Sequence, residues 1–221
     1  MKKTVVAIAV MTLAVVFSAF AGTTLVFGFD TTDSGSDVNG IEYEGIKQSI
    51  TYSGAVSGSG TNLFNFLDGT NDQVNFEIGA VGDLAGLSGT FTPVGGNFNI
   101  GGNGGAVDGG TSGTQFDSGE AWVLTFSTDV ILNAVRYYGE DADGQTILTN
   151  GVAVAGSPFT SEFSGASIFV NANETLTFGQ AGSGTYALQD FTITVIPEPA
   201  TLAMLGVGGL LTLGFRHFSR V

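Results

Sequence analysis

The 221-residue chain has no cysteine, a single histidine, four prolines and only six lysine or arginine residues. Each shortage closes off some chemistry. Without cysteine there is no disulfide, no thiolate metal site and no cysteine nucleophile. The one histidine, His217, lies near the C-terminus. The central region therefore lacks the residues for Ser-His-Asp or Cys-His catalysis and for zinc bound through nitrogen and sulfur. With 20 acidic residues against six basic ones, the formal charge is −14. A chain this acidic repels phosphate backbones, which excludes nucleic-acid binding through a basic face. No glycine-rich phosphate loop ends in Lys-Ser/Thr, and no dinucleotide fingerprint sits in a βαβ setting.

Glycine and phenylalanine are abundant. Glycine occurs 35 times and phenylalanine 18 times; glycine in particular runs at about twice its ordinary share of roughly 7%. In the central region apolar residues come in short groups separated by glycine, asparagine, serine and aspartate, and no run there reads as an amphipathic helix of 12 or more residues. This pattern favours many short strands joined by turns.

The few positive charges are concentrated at the ends. Lys2, Lys3, Arg216 and Arg220 flank two apolar segments, and only Lys47 and Arg136 lie between. Residues 1–21 read as a secretory signal peptide, with Lys2 and Lys3 before an apolar run from Val5 to Phe20. Ala19-Phe20-Ala21 supplies the small-x-small cleavage pattern, so Ala19, Ala21 and Gly22 mark the expected cut. An uncleaved anchor is the alternative, for which the run is short. At the other end, Pro197-Glu198-Pro199 stops the preceding strand. The largely apolar stretch that follows, Ala200 to Phe215, would span about 24 Å as a helix. That is marginal for a transmembrane helix in a bilayer core of about 30 Å, with Arg216 and Arg220 on the cytoplasmic side.

Pro197-Glu198-Pro199-Ala200-Thr201-Leu202-Ala203-Met204-Leu205-Gly206, with the glycine-leucine run and basic tip behind it, resembles the PEP-CTERM sorting signal over residues 196–221. The tip departs from the usual arginine cluster, since His217, Phe218 and Ser219 separate Arg216 from Arg220. The resemblance implies an exported protein of an exopolysaccharide-producing Gram-negative bacterium. It also implies a transient inner-membrane anchor and an exosortase, an integral-membrane cysteine protease, recognising Pro197, Glu198 and Pro199. The processed protein would then pass to the cell surface or extracellular matrix.

Removing both ends leaves residues 22–196, with 19 acidic and 2 basic residues and a formal charge of −17. Expected strands are Thr23–Phe29, Ser49–Val56, Gln73–Ile78, Ala121–Ser127, Val130–Tyr138, Thr146–Val154, Ser167–Val170, Thr175–Phe178 and Tyr186–Ile196. Leu63–Leu67 is ambiguous between strand and helical turn. Thr128-Asp129 is either a hairpin turn or a bend in one strand. Trp122, Leu124 and Phe126 share one face of their strand, which makes Trp122 a core residue. Leu188 falls out of phase with Phe191, Ile193 and Val195, which predicts a bulge near Gln189-Asp190. The expected fold is all-β: an antiparallel β-sandwich, jelly-roll-like, flanked by the signal helix and the transmembrane helix. Gly119-Glu120-Ala121-Trp122-Val123-Leu124-Thr125-Phe126 followed by Val130-Ile131-Leu132 also resembles, more loosely, β-sandwich domains of PEP-CTERM proteins.

Candidate chemistry in this domain rests on oxygen ligands. Gly95 to Gly119, with 10 glycines in 25 residues, reads as an irregular surface loop or a ligand or calcium loop. Asp141 and Asp143 have the alternate spacing that opens many calcium loops, but no third acid at the next alternate position and no closing glutamate follow, which favours a solvated acidic turn over a calcium site. Glu77, Glu120, Glu140, Glu162 and Glu174 could supply the two carboxylates of a glycan hydrolase, although no pair is singled out. Tyr137 and Tyr138 point to opposite faces of their strand and offer one ring for stacking on a sugar. Lys47 reads as a surface lysine. The functional expectation is a non-enzymatic structural protein associated with exopolysaccharide. A carbohydrate-binding module and a carboxylate-dependent glycan hydrolase are the alternatives.

Overall fold

The computed structural model describes residues 22–29, 39–81, 86–101, 104–109, 115–138, 145–154, 163–180 and 185–196. The expected signal helix and transmembrane helix lie outside these residues. Among the described residues no helix is long and apolar enough to cross a membrane. Thr23–Val195 forms a compact unit of its own.

The first half of that unit contains β1 (Thr23–Phe29), β2 (Asn39–Tyr43), β3 (Ile46–Lys47), β4 (Ile50–Gly54) and β5 (Gly58–Gly60). A single helical turn, α1 (Phe64–Leu67), then leads to β6 (Val74–Ile78), β7 (Leu87–Val94), β8 (Asn97–Gly101) and β9 (Gly104–Asp108). The second half contains β10 (Ala121–Phe126), β11 (Val130–Tyr138), β12 (Gln145–Thr149) and β13 (Val152–Ala153). It closes with β14 (Phe163–Val170), β15 (Thr175–Gln180) and β16 (Ala187–Val195).

Two sheets result, with antiparallel pairing throughout. One runs β14-β11-β16-β1-β2-β3, and the β8–β9 hairpin joins it through β9 and β16. The other runs β13-β12-β15-β10-β7-β6-β4-β5. From β10 onwards the chain moves between the sheets and returns to place its last strand beside its first. The hairpin option at Thr128-Asp129 does not hold, because β10 and β11 belong to different sheets. The connection is a corner, and Asp129 Oδ1 anchors it by accepting from the Ala172 amide at 2.8 Å. The predicted bulge is present: Arg136 opposes Asp190 while Tyr137 opposes Leu188, leaving Gln189 unmatched. Beside it the Arg136 guanidinium pairs with the mostly buried Asp190 carboxylate, its Nε donating to Oδ2 at 2.6 Å.

Phenylalanine fills the space between the sheets. Phe27 of β1 stacks on Phe191 of β16 with centroids 4.7 Å apart. Across the sandwich it meets Phe76 and Phe126 edge-on at 6.0 and 6.1 Å. Such contacts add to the area buried by each ring, and here they hold together a chain that has no cysteine for disulfides.

The glycine-rich stretch corrects the sequence-based expectation. Gly95 to Gly119 is not irregular throughout, since β8 and β9 pair in register from Asn97↔Asp108 to Gly101↔Gly104. Phe98, Ile100, Ala106 and Val107 of the hairpin are buried. Glycine permits a close approach here: a Cβ on Gly105 would lie 2.3 Å from the Trp122 ring. Gly105→Ala is expected to lift the hairpin off Trp122 and to destabilise the protein by about 1–3 kcal/mol, read from a denaturant titration.

Candidate functional site

Three regions bear on function: the two chain exits, the carboxylates and tyrosines singled out in the sequence, and a groove on the second sheet. At the exits, β1 and β16 pair from Thr23↔Val195 to Gly28↔Asp190. The first and last residues of the compact unit are therefore partners on adjacent strands, at a spacing of about 5 Å. Gly22 and Ile196 are the outermost described residues. Ala19, Ala21, Pro197, Glu198 and Pro199 lie outside them.

Asp141, Asp143, Glu140 and Glu162 also lie outside the described residues. Among those described, no group of three or more His, Cys, Asp or Glu side chains could hold a metal ion. The remaining candidate acids are separately engaged. Glu120 is 5% exposed. Its Oε1 accepts from the Gly109 amide at 3.0 Å and its Oε2 from the Asp117 amide at 2.7 Å. Both oxygens thus tie the base of the glycine hairpin to the turn before β10. Glu174 accepts from the Asn171 side chain at 2.7 Å and the Asn171 amide at 3.1 Å. Those bonds, the side-chain one first, hold its carboxyl below the usual range. Glu77 is exposed on β6. Lys47 is exposed on β3.

The tyrosine pair is divided. Tyr138 is 45% exposed at the end of β11. The Tyr137 ring stands edge-on to Tyr186 with centroids 4.8 Å apart. Its hydroxyl is buried without a hydrogen-bond partner among the described residues, and burial pushes its ionisation far upward. Burial, and then the neighbouring Tyr137, raise Tyr186 in the same way. The Tyr186 hydroxyl donates to the Gly179 carbonyl at 2.8 Å. Trp122 is fully buried, and its Nε1 donates to the Ala106 carbonyl at 2.9 Å. These rings belong to the closed end of the core, apart from Tyr138.

The groove, of about 350 Å³, lies on the outer face of the second sheet. Strand register sets Ser53, Asn75, Thr90, Thr125 and Thr175 side by side across five strands, about 4.8 Å apart. Thr90 Oγ1 and Thr125 Oγ1 are 2.8 Å apart and hydrogen-bonded, which orients both hydroxyls. A second row places Thr51, Glu77 and Ser88 together, with Ser127 Oγ accepting from the Ser88 amide. Glu77 is the one acid among the described lining residues, whereas glycoside hydrolysis uses two carboxylates. No strand was expected at Leu87–Val94, so Ser88 and Thr90 were missed. The signal was the alternation of Leu87, Phe91 and Pro93 with Ser88, Thr90 and Thr92, obscured by the glycine and proline within it.

The described domain is an antiparallel β-sandwich whose terminal strands are paired neighbours, and it runs directly into the C-terminal segment. That segment is a recognised sorting element: a family model described as the PEP-CTERM protein-sorting motif matches residues 195–220. The chain thus carries a PEP-CTERM sorting motif, and that motif implies export, a membrane-anchored sorting stage and processing by an exosortase. No curated protein and no solved structure matches the chain.

Proposed function

We propose that this is a non-enzymatic structural protein of the cell surface or extracellular matrix of a Gram-negative bacterium, associated there with exopolysaccharide. The observation that carries the reading is the sorting motif at residues 195–220, which follows the last strand without a spacer. The signal peptide at residues 1–21 and the membrane-spanning tail belong to the same reading. Supporting it, the phenylalanine core is closed, and each described candidate acid is tied to backbone amides or stands singly on the surface. The test is replacement of Pro197, Glu198 and Pro199 by alanine in the host. The unaltered protein is expected to leave the membrane fraction with its tail removed, and the altered one to stay there intact. Release of both to the same extent would end this reading.

The groove favours carbohydrate binding as a second reading. Hydroxyls and amides both donate and accept, as a polyhydroxylated neutral chain requires. The one aromatic among its described lining residues, Phe76, is buried beneath the sheet and gives a protein partner little to anchor on, and the strongly acidic domain disfavours polyanions. Neutral glucan or mannan cast in a native gel is expected to retard the protein. Asn75→Ala combined with Thr125→Val is expected to weaken that retardation by about tenfold, the loss of roughly 1.4 kcal/mol. Equal mobility with and without the glycan would remove this reading and leave the sorting one intact. A structural calcium ion in the acidic turn at Asp141 and Asp143 is a separate proposal. Titration of the protein with calcium should then release heat and raise the melting temperature.

A further inference from the structure

The sorting motif and the fold meet without a spacer. Val195, the last residue of β16, is 1% exposed, and only Ile196 separates it from Pro197. β16 is an interior strand, hydrogen-bonded to β1 on one side and β11 on the other, so Val195 pairs with both Thr23 and Val130. Phe191 and Ile193 of the same strand are fully buried. A protease must take its substrate as an accessible, extended segment whose backbone groups are free to pair with it. The backbone of β16 is already paired on both edges, and freeing it would expose the centre of the phenylalanine core.

Resting on the sorting reading above, we propose that the closed domain itself sets the upstream limit of processing. β16 bars the protease from every peptide bond up to Val195–Ile196, so the mature C-terminus is Ile196 or a residue beyond it. The pairing of first and last strands adds an order of events. β1 cannot acquire its β16 partner until the chain through Val195 has been exported, so the barrier closes only as translocation delivers the sorting motif. The cut is an acyl transfer. A protease nucleophile bonds to the carbonyl carbon, the C–N bond breaks, and the tail leaves as an amine carrying a proton. Water or an acceptor amine then takes the acyl group.

Tandem mass spectrometry of the C-terminal peptide, on full-length protein expressed and exported by the host, tests the proposal. The expected end is Ile196 or a later residue, with β16 complete. A folded exported protein ending anywhere within Ala187–Val195 would overturn it while leaving the sorting reading in place. An intact tail through Val221 would remove the sorting reading and this proposal together. The second arm is Phe191→Ala, which opens the core around β16. If the fold is the barrier, the ends of this variant shift upstream into residues 187–195. If a variant shown by its lowered melting temperature to be opened is still cut only at the wild-type bond, the motif alone sets the site and the barrier is refuted.

Discussion

Phe27→Ala is expected to destabilise the domain by about 3–5 kcal/mol, the range for truncating a buried aromatic ring. Phe27 lies at the crossing of the two sheets, stacked on Phe191 and meeting Phe76, Phe91 and Phe126. The cavity cannot close easily, because its walls belong to strands of two sheets held by separate ladders. For a domain of this size the melting temperature should fall by about 10 °C, which calorimetry or circular dichroism would measure. Phe169→Ala is the comparison: that ring is 49% exposed on β14, and its loss should cost no more than about 0.5 kcal/mol. Equal effects at the two positions would show that the core is not organised around Phe27.

Glu120→Ala is expected to cost about 3 kcal/mol, because it removes the charged acceptor shared by two backbone amides, each such bond being worth about 1.5–3 kcal/mol. The amides belong to Gly109, just after the glycine hairpin, and Asp117, at the turn leading to β10. The side chain also packs against Gly95, where an added Cβ would come within 3.0 Å of Glu120 Cγ. Glu120→Gln keeps one acceptor oxygen and should lose roughly half as much. Native-state hydrogen exchange separates this from a general effect. The Gly109 and Asp117 amides should lose protection first, while those of β1 and β16 keep theirs. If both variants matched the wild type in stability, the carboxylate would not be the tie that holds this hairpin.

Much of the strand structure was legible in the sequence. β1 and β11 have the expected limits, and Leu188 out of phase with Phe191 revealed the bulge at Gln189. Alternation works where one face of a strand meets the core and the other meets solvent, as in Ala121–Phe126. It failed where glycine replaced the side chains that carry the signal. Gly104 and Gly105 conceal β9 because their value lies in having no Cβ, with Leu188 and Trp122 pressed against them. Thr128-Asp129 could not be resolved locally, because a hairpin and a corner between sheets use similar residues. Which one forms depends on the partners that β10 and β11 find elsewhere.

The sequence by itself carries the sorting signal. The PEP-CTERM motif is a contiguous string of residue types, and a signal read along the chain needs no fold to be recognised. The same holds for the −17 charge of the region between the two ends and for the exclusion of histidine and cysteine chemistry there. Only the tertiary structure decided what the domain presents. The groove, lined mainly by serine, threonine and asparagine, draws on β4, β6, β7 and β10, which are separated along the chain and brought side by side only by strand pairing. The pairing of Thr23 with Val195 likewise joins residues at opposite ends of the domain. Both depend on which strand edges meet, a choice made by burying phenylalanine between two sheets at once and therefore absent from any local stretch of sequence.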